Sequence, residues 1–112
     1  MRLVLPLPEN LANARLHWRT KNRRRANYML ACTCADARRP VEPIAPAVVH
    51  ATLYMHNRMD EDNLTARLKW VIDWLVERQI LLDDHPSAMT LGTVEQAIDR
   101  KRQRVEVTVV PV

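Results

Sequence analysis

The residues best suited to chemistry are acidic. Asp60-Glu61-Asp62-Asn63 sits between a strand-like and a helix-like segment. In an extended segment alternate side chains share a side, so Asp60 and Asp62 point together and Glu61 points away. Two carboxylates side by side repel one another unless a cation lies between them. Mg²⁺ suits such a pair, because it takes oxygen ligands at about 2.1 Å and needs only one or two carboxylates plus waters and phosphates. The plainer alternative is that Asp62 caps a helix and Asp60 is an exposed loop residue. A second pair, Asp83-Asp84, follows the apolar Ile80-Leu81-Leu82. Neighbouring side chains diverge, so only one of the two is expected to join Asp60 and Asp62; the alternative is a polar turn before Pro86.

Other chemistries fail on spacing. An EF-hand loop needs an oxygen ligand and a glycine where the chain has Leu64 and Thr65. Cys32 and Cys34 fall on different sides of a helix, so they cannot share a zinc ion, and a disulfide between them would close a strained ring. The four histidines show no ligand spacing, and the only serine, Ser87, follows a proline in a turn. The single glycine, Gly92, removes every glycine-rich phosphate loop, so no nucleotide cofactor is expected.

The net charge of +4 conceals an asymmetry. Residues 1–59 carry ten Lys/Arg against three Asp/Glu, whereas residues 60–84 carry three against seven. A basic surface holds a polyanion, and concentrated carboxylates can hold a cation that acts on it. Arg15, Arg19, Lys21, Arg23, Arg24 and Arg25 crowd one stretch together with Trp18 and are the expected DNA contacts. Trp18 would either stack on an unpaired base or pack in the core. Arg100, Lys101 and Arg102 form a smaller second patch.

One domain over residues 1–112 must position these groups. No stretch is long and apolar enough to cross a membrane, and the N-terminus is too short in apolar residues for a signal sequence, so a cytoplasmic protein is expected. Residues 2–7 read as a strand, 9–22 as a loop, 23–38 as a helix and 40–46 as a proline-rich connector. Residues 47–56 alternate as a strand, with Val49, Ala51, Leu53 and Met55 on one face. A helix is predicted from Asp62 to Gln79. Strands 89–98 and 103–110 would pair as an antiparallel hairpin through Asp99-Arg100-Lys101-Arg102. The expected fold is α+β, order β-α-β-α-β-β, a mixed sheet with helices packed on one face. The 62–79 helix is apolar over most of its circumference, with Asp62, Lys69, Asp73 and Glu77 in a narrow polar stripe and Arg67 as an exception. It needs the sheet and something else to cover it, and Trp70 or Trp74 is expected near a homodimer interface.

The run D-x-D-N, a helix with K-x-x-x-D-x-L, and a later D-D resembles the RusA family of Holliday-junction resolvases. Here it reads Asp60-Glu61-Asp62-Asn63, Lys69 through Asp73 to Leu75, then Asp83-Asp84. Leu5-Pro6-Leu7-Pro8 and Asn13-Ala14-Arg15-Leu16-His17-Trp18-Arg19 are also similar to that family's start. The resemblance implies a homodimeric, Mg²⁺-dependent endonuclease nicking four-way DNA junctions symmetrically. It puts Asp60, Asp62 and Asp84 in the places of the metal-binding catalytic aspartates, Lys69 in that of the active-site lysine, and Asp83 in that of an acid near the dimer interface. The family's lysine follows its second aspartate by four residues, where this chain has Ala66; Lys69 lies seven after. The rival reading is a non-catalytic nucleic-acid-binding protein of phage or prophage origin.

Overall fold

The computed structural model describes residues 1–10, 15 and 17–112. Among these, the elements run β1 (Arg2–Leu5), α1 (Trp18–Ala35), β2 (Ala47–Met55), α2 (Glu61–Arg67), α3 (Lys69–Glu77), β3 (Met89–Ile98) and β4 (Arg104–Pro111). Asn13, Ala14 and Leu16, part of the N-terminal resemblance, lie outside the described residues. No helix among the described residues is long and apolar enough to cross a membrane.

The four strands form one sheet in the order β1-β4-β2-β3. Period-two alternation sets its faces. Ala47, Val49, Ala51, Leu53 and Met55 of β2 are buried, as are Val105, Val107 and Val109 of β4 and Leu3 and Leu5 of β1. Their alternating partners, among them Thr52, Tyr54, Glu106 and Thr108, are half-buried on the opposite face. There Arg104 stacks 3.8 Å from the Tyr54 ring centroid and bridges Asp99 and Glu106 at 2.9 and 3.0 Å.

The predicted hairpin between the last two strands does not form. β2 lies between them, antiparallel to β4 and parallel to β3. Residues 99–103 instead cross over the end of β2, where the Asp99 amide donates to the Met55 carbonyl at 2.9 Å. Parallel pairing of β2 with β3 requires a crossover connection. The α2–α3 pair supplies it.

The predicted 62–79 helix is two helices. At Leu68 (φ −81°, ψ −5°) the backbone tightens, and its amide reaches back three residues to the Thr65 carbonyl at 3.1 Å. Gln79, just past the end of α3, lies in the left-handed region at φ 62°. The first helix begins at Trp18, inside the predicted loop, and ends at Ala35. Its N-cap is His17, whose Nδ1 accepts from the Arg19 amide at 3.2 Å.

Helix α1 is what covers the remaining apolar arc of α3. Trp74 is 2% exposed, and its indole N–H donates to Thr33 Oγ1 at 3.0 Å. Trp70 lies with its centroid 6.0 Å from that of Tyr28, whose hydroxyl donates to the Pro6 carbonyl at 2.7 Å. Both tryptophans are thus buried within the chain, and the second layer that the apolar arc calls for is supplied by α1. Cys32 is buried and Cys34 exposed, both as free thiols.

Candidate acidic site and nucleic-acid interface

The segment between β2 and α2 carries the acidic turn out at the C-terminal ends of β2 and β3. It is fixed by Gln96 of β3, whose amide accepts from the Met59 N–H and donates to the Met59 carbonyl, both at 3.0 Å. Asp60 follows immediately as the N-cap of α2, in an extended conformation and without a side-chain capping bond. Asp62 lies in the first turn. Both are exposed, and among the described residues neither carboxylate has a hydrogen bond or ion pair to a side chain. The capping alternative therefore belongs to Asp60 by position only. The extended spacing that was expected to point Asp60 and Asp62 to one side does not hold: α2 already begins at Glu61, so Asp62 is helical, and side chains two apart on a helix do not face each other.

Asp84 does not join them within one chain. The 82–88 turn leads into Met89, opposite Ala47 at the start of β2, whereas the Met59 clamp sits at Gln96, opposite Leu53. Six strand residues separate these levels, roughly 20 Å at about 3.3 Å per residue. Among the described residues no group of three or more His, Cys, Asp or Glu is placed to hold a metal ion. Asp83 and Asp84 are exposed, and Asp83 Oδ1 accepts from the Asp84 amide at 2.7 Å.

Lys69 opens α3, beyond the break at Leu68 that separates it from Asp62 on α2, and is tied to Asp73 Oδ1 at 2.8 Å. Asp73 also receives Arg25 from α1, Nε to Oδ2 at 3.3 Å. Lys69 lines a cavity of about 210 Å³ with Glu9, Asn10, Lys21, Asn63, Ala66, Arg67 and Trp70. The cavity joins the basic helix to the residue that follows Asp62.

Sequence reasoning singled out Arg67 as the exception on the apolar arc, a side chain expected to snorkel to solvent, and missed that it turns inward. Its Nε donates to the Pro8 carbonyl at 2.6 Å, and its Nη1 lies 3.4 Å from Met55 Sδ and 3.8 Å from Met59 Sδ. Burial pulls its guanidinium below the ordinary arginine range, offset in part by Tyr28. The signal was present: an arginine on the apolar side of a buried helix needs internal acceptors. Gln96, on the half-buried edge strand, gave no comparable signal.

The basic segment divides into two roles. Arg19, Lys21 and Arg23 are exposed on α1, and Arg15 is exposed before it. Arg24 approaches Glu9 at 3.8 Å, and Arg25 turns inward to Asp73 and Glu77 at 3.3 and 3.9 Å. Trp18 is 62% exposed rather than packed in the core, with the Arg19 guanidinium 5.3 Å from its ring centroid. Arg100, Lys101 and Arg102 are exposed in the β3–β4 connection. No family model matches the chain, and no curated protein matches it.

Proposed function

We propose that the chain is a Mg²⁺-dependent, structure-selective DNA endonuclease of the RusA type, acting in the cytoplasm as a homodimer on four-way junctions. The observation that carries this reading is one cavity: Lys21 of the basic α1 face and Asn63, next to Asp62, line it together. A DNA strand held on α1 would thereby reach the first turns of α2, where Asp60 and Asp62 stand. Asp60 and Asp62 would hold the ion from one copy. The separation of Asp84 from them within a chain supports a site completed by the Asp84 of a second copy, with Asp83 beside that junction. Bound there, Mg²⁺ would activate water and stabilise the leaving oxygen. Lys69, released in part from Asp73, would offset charge developing on the phosphate. Arg15, Arg19, Lys21, Arg23 and Trp18 bind and orient the arms.

The test is incubation of the protein with a labelled four-way junction or a linear duplex in Mg²⁺. Paired symmetric nicks in the junction, absent from the duplex and from Asp60→Asn and Asp62→Asn, are expected. Near wild-type cleavage by both variants would overturn the metal assignment. The second reading, a non-catalytic nucleic-acid-binding protein, is favoured by the absence of a three-residue metal cluster among the described residues; it predicts binding without cleavage.

A further inference from the structure

We propose that the cavity lined by Lys21, Asn63, Arg67 and Lys69 is a subsite for one backbone phosphate of a nucleic-acid strand, distinct from the Asp60–Asp62 pair. Three elements converge on it: α1 supplies Lys21, α2 supplies Asn63 and Arg67, and α3 supplies Lys69. At about 210 Å³ it falls below the roughly 300–1,000 Å³ of pockets that enclose whole small molecules. A tetrahedral anion is the kind of group that it suits.

The charge balance selects an anion. Arg67 is half-buried, and among the described residues it is held by a carbonyl and two thioethers and has no carboxylate partner. Lys21 likewise has no ion pair among the described residues. Lys69 shares its charge with Asp73, and the one lining carboxylate, Glu9, approaches Arg24 instead. A partly desolvated guanidinium without a counter-charge is costly, and a phosphate oxygen beside it offsets that cost. The Asn63 amide can add a neutral donor.

A nucleic-acid phosphate is favoured over a phosphopeptide because Lys21 shares α1 with exposed Arg19, Arg23 and Trp18. A strand anchored in the cavity has cations for its neighbouring phosphates and a ring for a base. The proposal rests on the nucleic-acid-binding part of the reading above and not on cleavage.

Binding of a labelled single-stranded oligonucleotide in EDTA tests it, with melting temperatures measured alongside. Lys21→Gln and Arg67→Lys should each weaken binding about tenfold, as loss of a direct charge-assisted contact does. Arg23→Gln, which removes equal charge outside the cavity, should weaken it only about two- to threefold, as loss of one screened surface contact does. Inorganic phosphate, against chloride at equal ionic strength, should shift the Arg67 Nε–H and Asn63 side-chain resonances in a nitrogen–proton spectrum. Equal losses for Lys21→Gln and Arg23→Gln, or phosphate shifts absent from Arg67 and Asn63, would overturn the subsite. A phosphoserine peptide binding as tightly as the oligonucleotide would overturn its assignment to nucleic acid. Because EDTA excludes catalysis, failure of the nuclease reading leaves these outcomes unchanged.

Discussion

Gln96 grips the backbone of Met59 from both sides, accepting its N–H and donating to its carbonyl, so the residue preceding Asp60 is fixed to the edge strand of the sheet. A turn carrying three acidic residues in succession repels itself, and these two bonds oppose its fraying. Gln96→Ala should lower stability by about 1–2 kcal/mol, two ordinary hydrogen bonds on a partly exposed edge. Amide exchange should accelerate at residues 58–62 and not in β4. A larger loss in Mg²⁺ affinity than in junction affinity would tie the clamp to the carboxylates; unchanged exchange in that turn would show that it holds nothing.

The two acidic turns lie at opposite ends of the β2–β3 pair, which yields a complementation test. If each site takes Asp60 and Asp62 from one copy and Asp84 from another, Asp60→Asn mixed with Asp84→Asn leaves one intact site in every mixed dimer. Random assortment of symmetric dimers then restores nicking to about a quarter of wild type, although each variant alone is inactive. No restoration after denaturation and joint refolding would mean that the site is built within one chain or that Asp84 has no part in it.

The strands were legible because burial imposes period two: Val49, Ala51, Leu53 and Met55, and Val105, Val107 and Val109, sit where their alternation placed them. Strand order was not legible. A short charged link such as 99–103 reads as a hairpin, and nothing local reveals that β2 is inserted between the strands that it joins. The start of α1 was hidden because residues 19–25 are polar on every side, so no apolar stripe marks them. The stripe of Asp62, Lys69 and Asp73 was visible from helical spacing, but the Lys69–Asp73 pair, the less consequential alternative, is what forms. Convergence of Asn63, Arg67 and Lys21 depends on the packing of α1 against the crossover helices, which no local pattern encodes.

Alkaline pH should destabilise the fold through Cys32 and Tyr28. Burial pushes the Cys32 thiol from 9.0 up to about 11. The Tyr28 hydroxyl is raised above 10.0, by burial first and then by Cys32. Above pH 9 the unfolded chain loses the Cys32 proton while the folded chain keeps it. The unfolded state then binds fewer protons, and stability falls as pH rises. The contribution is complete below pH 9 and disappears toward 11, with Tyr28 extending the decline. Urea midpoints at pH 8, 9.5 and 10.5 should fall in that order, and Cys32→Ala should flatten the first part of the fall. A midpoint rising over this range would contradict the burial of both groups.

The arginines of α1 should separate into those that meet DNA and those that hold helices together. Arg19 and Arg23 are exposed, so replacing both with alanine removes two potential phosphate contacts. The slope of log K against log salt should then fall by up to about 1.8, at roughly 0.9 per contact on duplex arms. The melting temperature should stay close to wild type. Arg25 faces Asp73 and Glu77 across the α1–α3 interface. Arg25→Ala should leave the salt slope nearly unchanged while lowering stability by up to about 1 kcal/mol, the range for a partly exposed ion pair. Trp18→Ala tests the exposed ring separately. Stacking needs an unpaired base, so the variant should lose affinity for the four-way junction, up to about tenfold from one stacked base, and little for a closed duplex. If Arg25→Ala lowers the salt slope as the exposed pair does, or Trp18→Ala weakens duplex and junction alike, the division of labour along α1 is wrong and the helix is a uniform basic surface.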